Sequence, residues 1–348
     1  MTLLKKMIAA TGAAAMMIGS AATVRAQDVT LTGSGSSFVN PFMQKLASEY
    51  NKQTGVKINY SSVGSGTGIK QLSDKTTDFG DTDAPMTEAQ MKAAAGGEVI
   101  HLPMVIGAVV PIYNVPGVDK NKPLVFSGPV LADIFRGKIT AWNDPKLTKL
   151  NPGVKLPDAD ITVVHRSDSS GTTYIFAEYL AKVNKDFAKA PGVGTALNWP
   201  VDNKIGAKGS EGVSGVVDKT PGTISYVELI YAMQNNISYG DVTNAAGKTI
   251  HASLESVTAA AGSMKEPPAD LRMSITNAEG EGSYPISGFT YVIAYRNQAD
   301  ATKGRTLVNF LKWAITDGQK FAPELKYAPL PEAIVKMEQS MIDGVSVK

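Results

Sequence analysis

The chain contains no cysteine. Disulfides, thiolate catalysis and lipid attachment to a cysteine behind a leader are excluded together. Histidine is nearly as scarce. His101, His165 and His251 are widely spaced with no H-x-x-x-H pair, so the sequence offers no histidine metal centre. Beyond the first two dozen residues no apolar run is long enough to span a bilayer. A strong charge of either sign is missing too, with 34 Lys and Arg against 32 Asp and Glu. No metal and no cofactor is expected.

The start of the chain reads as an export signal over residues 1–26. Lys5 and Lys6 precede an apolar stretch from Met7 to Thr23, and Val24-Arg25-Ala26 forms an A-x-A-like cleavage site. Its shortness and its Gly and Ala content argue against a membrane anchor. Cleavage before Gln27 lowers the basic count to 31 and takes the net charge from +2 to −1. The mature surface is then no trap for nucleic acid. About 320 residues remain, enough for two domains held by their cores without disulfides.

Three times a strand-like run breaks into a Gly/Ser-rich turn that opens a helical pattern. The turns are Gly33-Ser34-Gly35-Ser36-Ser37-Phe38, Gly64-Ser65-Gly66-Thr67-Gly68 and Arg166-Ser167-Asp168-Ser169-Ser170-Gly171-Thr172-Thr173. Such turns aim free N–H groups and hydroxyls at the positive end of a helix dipole, where an anion binds. Singly, most such turns only let the chain reverse or start a helix. Jointly, at the carboxyl ends of strands in an α/β protein, they point to a small oxyanion. Arg166 either grips that anion or forms a surface ion pair. Asp168 either orients the guanidinium or caps the next helix.

Phe79 to Pro85 places Asp81 and Asp83 in what reads as a tight turn. The oxygen ligands of a metal loop are incomplete there. A carboxylate in an anion site makes sense for a protonated guest, since phosphate near neutral pH can donate a hydrogen bond to Asp83. Sulfate carries no proton, and an unmatched buried acceptor discriminates by ~10⁴. The alternative for this segment is a solvated turn. Asp81 either reaches the cleft or faces solvent.

Catalytic motifs are weak. There is no G-x-S-x-G elbow. Gly64 to Gly68 lacks the P-loop ending, and Val242 stands where a P-loop before Lys248-Thr249 needs glycine. Strand alternation turns His165 away from Arg166, to a structural or rim position, and leaves a Ser170–His165 dyad as an outside alternative.

Alternating patterns predict α/β units. Asn40 reads as an N-cap before Pro41, with Phe42, Leu46 and Tyr50 on one face and Gly55 as the stop. Helices are expected over Thr67–Lys75, Thr172–Val183, Ser127–Arg136, Thr306–Thr316 and Pro331–Asp343. Val105–Tyr113 and Ile286–Tyr295 read as strands, Thr223–Met233 as an apolar run, and Gly240–Lys248 as a loop or hairpin.

Taken in order, the three turns, Phe79 to Pro85, Trp142-Asn143-Asp144 after Gly137-Lys138-Ile139, Pro221 to Glu228 and Tyr284-Pro285-Ile286 resemble the periplasmic phosphate-binding proteins of high-affinity phosphate ABC importers. The resemblance covers nearly all of the chain behind the leader. It implies an α/β venus-flytrap fold of two lobes, with lobe I over 27–105 plus 281–348 and lobe II over 106–280. It also implies inorganic phosphate in the cleft, permease subunits as partners, and a monomeric, periplasmic receptor that is not an enzyme. Carried over by motif, the ligand residues are Ser37, Phe38, Ser65, Asp83, Arg166, Ser170, Gly171 and Thr172, with Asp168 behind Arg166. Ser37 stands where the family often has threonine, and Asp81 where a small residue is expected. The rival readings are a receptor for another oxyanion such as arsenate or sulfate, and an exported phosphatase.

Overall fold

The structure is a computed structural model that describes residues 29–348. The expected leader over 1–26 lies outside the described residues. The strands are β1 (Thr30–Gly35), β2 (Lys57–Ser62), β3 (Phe79–Thr82), β4 (Val99–Asn114), β5 (Val125–Ser127), β6 (Thr162–Arg166), β7 (Lys204–Ala207), β8 (Thr223–Glu228), β9 (Ser238–Tyr239), β10 (Asp241–Thr243), β11 (Thr249–Ile250), β12 (Ser287–Tyr295), β13 (Asn297–Gln298) and β14 (Ser346–Val347), the last two pairing only with each other. Eight of them run side by side in the order β2-β1-β3-β12-β4-β8-β6-β7, with β9 also on β4.

β4 is the shared member. Its first part, to Ala108, pairs antiparallel with β12, and from Val109 onward it pairs antiparallel with β8. Two lobes result. One is built on β2, β1, β3, β12 and the start of β4, the other on the end of β4 with β8, β6 and β7. All of β4 but Asn114 is buried, and so is all of β12, as expected of strands covered on both faces.

In each lobe parallel strands feed helices. β1 pairs parallel with β2 and β3, and β6 with β7 and β8. Helix Asn40–Thr54 follows β1 and buries Phe42, Met43, Leu46, Ala47 and Tyr50. It stops at Gly55, whose φ of 78° is left-handed and whose N–H closes onto Asn51 O. Helices Ser65–Ser73, Gly171–Val183 and Gly209–Lys219 follow β2, β6 and β7. The N-termini of these four helices converge where the lobes meet. Among the described residues no helix is long and apolar enough to cross a membrane.

Several boundaries differ from the sequence expectation. Asn40 is the first helical residue rather than the cap; Val39 holds the N-cap position without a side-chain bond. The chain has already turned at Ser37, whose carbonyl accepts from Asn40 N at 3.3 Å. The second turn enters its helix at Ser65, two residues early, because Gly64 makes the bend with φ 92°. β4 starts six residues before Val105, since its partner β12 lies far along the chain where no local pattern shows it. Asp81 is not in a turn but in β3. Thr223–Met233 splits into β8 and a short helix, Leu229–Gln234, capped by Glu228. Gly240–Lys248 belongs to a β10–β11 hairpin. The helix expected from Thr306 begins at Ala301, where Asp300 accepts from Thr302 N and Lys303 N.

Candidate functional site: an anion cleft between two lobes

The lobe I wall is made by the first two turns and the end of β3. Ser36 Oγ donates to Asp83 Oδ1 at 2.5 Å and accepts from Phe38 N at 3.0 Å. Asp83 is 3% exposed, and its Oδ2 is buried with no hydrogen-bond partner. Burial pushes its carboxyl up to about 6, against the hydrogen bond from Ser36 and the charge of Arg166, which both favour the ionised form. Asp81 lies fully buried one residue behind Thr82. Thr290 Oγ1 donates to its Oδ1 at 3.2 Å, while its Oδ2 has no partner. Burial and the neighbouring Asp83 charge hold Asp81 well above the usual carboxylate range. The choice between cleft and solvent resolves to neither: Asp81 is an interior group beside the cleft carboxylate.

The lobe II wall is made by the third turn. Arg166 ends β6 and is 6% exposed. Its Nε and Nη2 donate to the two oxygens of Asp168 at 2.7 and 2.6 Å, and Nη1 reaches Ser210 Oγ at 3.4 Å. Burial raises the Asp168 carboxyl, but the hydrogen bonds and charge of Arg166 outweigh it and leave the group below its ordinary value. Of its two possible roles Asp168 takes the first. It orients the guanidinium and accepts from Gly209 N at 3.0 Å, while the helix after the turn is capped by Ser170, which accepts from Thr173 N. Thr172 Oγ1 is buried without a partner.

The walls touch. Ser65 Oγ accepts Asp83 N at 3.3 Å and Gly171 N at 3.1 Å. Ser37 Oγ meets Ser210 Oγ at 2.9 Å, and Gly66 N donates to Ser169 O at 3.1 Å. A Cβ on Gly171 would stand 2.5 Å from both Asp83 Oδ2 and Ser65 Oγ, so only glycine permits this approach. The lobes are closed.

The sequence-predicted residues are therefore brought together. Ser65, Asp83 and Gly171 share contacts, Ser37 joins Arg166 through Ser210, and Ser170 and Thr172 open the helix behind Gly171. Phe38 N is engaged by Ser36 Oγ. The Ser170–His165 dyad does not form: His165 Nδ1 faces Arg166 O, and Ser170 Oγ is used by its own helix. Sequence reasoning missed Ser36 as the partner of Asp83, and it missed Ser210. The second had a signal, because Gly209-Ser210 follows β7 and opens a helix, a fourth turn of the same kind. It also missed Glu228, buried at the end of β8 with Oε1 unpartnered and its carboxyl raised well above the ordinary range by burial.

The model of the PBP superfamily domain matches residues 20–317. The phosphate-binding protein PstS of Xylella fastidiosa is 43% identical over 311 residues, covering 89% of this chain and 84% of the relative. That of Pasteurella multocida is 41% identical over 321 residues, covering 92% and 91%. Among solved structures, a high affinity periplasmic phosphate-binding protein bound with phosphate superposes with a TM-score of 0.74 at 22% identity, over 90% of this chain and 93% of that one, a likeness of fold. The chain thus belongs to the PBP superfamily and, within it, to the family of the phosphate-binding proteins PstS.

Proposed function

We propose that this chain is an exported receptor that binds inorganic phosphate between its lobes and delivers it to the permease subunits of an ABC-type importer. One observation carries the reading: a buried carboxylate, Asp83, keeps an oxygen without a donor beside Arg166 and the hydroxyl of Thr172. A guest that brings its own proton satisfies that oxygen; a fully deprotonated tetrahedral anion leaves it facing lone pairs. The remaining ligands in this reading are Ser37, Phe38, Ser65, Ser170 and Gly171, with Asp168 holding the guanidinium and Ser36 and Ser210 added from the geometry.

The names of the relatives support a binding protein rather than a catalyst. The change of partner along β4 at Ala108 and Val109 falls near the proposed division at 105/106, and the return of the chain to the lobe I sheet in β12, from Ser287, follows the proposed division at 280/281. The leader over 1–26, with its charged start and cleavage motif, supports periplasmic placement, and the receptor is taken to act as a monomer. Isothermal calorimetry with phosphate, arsenate and sulfate from pH 5 to 8 tests the reading. Phosphate and arsenate should bind and sulfate should not near neutrality. Equal affinity for sulfate at pH 7.5 would end it.

A further inference from the structure

Three consecutive carbonyls of the first turn each accept a buried tyrosine hydroxyl. Tyr60 donates to Ser36 O at 2.8 Å, Tyr231 to Ser37 O at 2.6 Å and Tyr327 to Phe38 O at 2.6 Å. Two of these tyrosines belong to the same lobe as the turn. Tyr231 does not. It sits on helix Leu229–Gln234, after β8, and reaches the turn from the opposite lobe.

The peptide that Tyr231 touches is the start of a line of donors. Its oxygen, on Ser37, accepts from Tyr231, and its nitrogen, on Phe38, donates to Ser36 Oγ at 3.0 Å. Ser36 Oγ in turn donates to Asp83 Oδ1 at 2.5 Å. A peptide that accepts at oxygen donates better at nitrogen, and a hydroxyl that accepts donates better in turn. Tyr231 has one proton for two acceptors, Ser37 O at 2.6 Å and Glu211 Oε1 at 3.0 Å, and the shorter bond goes to the carbonyl.

We propose that Tyr231 is a positioning residue that acts on Asp83 through the Ser37–Phe38 peptide and Ser36, so that closing the lobes strengthens the hydrogen bond that keeps the cleft carboxylate ionised. The proposal rests on the phosphate reading above. Asp83 also feels Arg166, Asp81, Glu228, Tyr60 and Tyr327, and Glu211 reaches the chain by sharing the Tyr231 hydroxyl. Only Tyr231 among the three tyrosines joins the line from across the cleft.

The test is a double-mutant cycle read by calorimetry across pH. Tyr231→Phe should weaken phosphate binding about fivefold, the scale of one hydrogen bond. It should also move upward the pH at which preference over sulfate is lost. In an Asp83→Asn background the same substitution should leave the phosphate-to-sulfate ratio unchanged. Equal weakening of both anions with an unmoved pH midpoint would make Tyr231 a plain closing contact and overturn the proposal. So would an equal change of the ratio in both backgrounds. Should Tyr231→Phe fail to fold, Ser36→Ala cuts the same line next to Asp83 and must move the midpoint upward; an unmoved midpoint there overturns the proposal as well. Wild-type protein with no preference for phosphate would fail the parent reading before any variant is made, whereas an intact wild-type preference with no coupling fails this inference alone.

Discussion

Among the site residues, the wall from β1 and β3 carries two carboxylates and no cation, whereas the wall from β6 carries a guanidinium already paired with its own carboxylate. On the first wall burial raises both acids, and their hydrogen bonds leave one oxygen of each unmet. On the second, Arg166 gives Nε and Nη2 to Asp168 and turns Nη1 toward Ser210. The contrast separates two tasks. In the proposed reading, the Arg166 wall supplies attraction that any oxyanion feels, and the Asp83 wall supplies a demand that only a proton-bearing guest meets. On that reading affinity and choice reside on different lobes, and neither is complete until the lobes meet.

The largest expected effect falls on the attracting wall. Arg166→Ala should weaken phosphate by ~3 kcal/mol or more, because it removes a buried charge and leaves Asp168 unpaired. Sulfate, where it binds at all, should weaken by the same factor. A loss below about 1 kcal/mol in calorimetry would remove Arg166 from the site.

Next comes Asp83→Asn, which should narrow the phosphate-to-sulfate ratio by ~10² or more while phosphate still binds. An unchanged ratio would place discrimination elsewhere. Acidification is the reversible form of this change. The carboxyl stands at about 6, so preference over sulfate should fade as the pH drops through that value. Ligand-free stability should move the other way. The folded carboxyl is raised above its unfolded value of 3.8, so the burial cost is fully present above about pH 6 and is relieved as pH falls toward 4. Between pH 7.5 and 5 this single group accounts for a gain of roughly 1.4 kcal/mol, measurable by urea titration at the two pH values.

Gly171→Ala should weaken every anion about tenfold, since its Cβ meets Asp83 and Ser65 before the walls close. In solution scattering, the liganded variant should stay larger than the liganded wild type. The smallest effect is expected for Asp81→Asn. Burial and the Asp83 charge favour the protonated form of Asp81, for which the amide is a close substitute, with less than about a threefold change in affinity. On the alkaline side the wild type should lose phosphate faster than the variant, and parallel pH profiles would show that Asp81 does not sense the cleft.

The parts of the site that could be read in the sequence are those written within one segment. The strand–turn–helix units place Ser65, Arg166 and Ser170 by local rules alone, and the acid at Asp83 carries meaning as soon as a proton-bearing guest is considered. The roles of Ser36 and Ser37 could not be separated, because adjacent hydroxyls in a turn point to different partners, here Asp83 and Ser210, set by chain 47 and 173 residues away. Tyr60, Tyr231 and Tyr327 gave no signal at all, since a tyrosine bound for a carbonyl looks like any core aromatic. Asp81 reads as a turn acid only until β3 is known to pair with β1 on one side and β12 on the other. Element ends erred where the deciding partner was distant, as for the start of β4.

Ser65 has a consequence of its own. Its oxygen takes one main-chain hydrogen from each half of the molecule, from Asp83 and from Gly171. With both lone pairs committed, the direction of its own hydrogen is no longer free to rotate. The hydroxyl acquires a fixed aim only when the halves have come together, so a guest that arrives early meets a spinning rotor and a guest that is enclosed meets a compass needle.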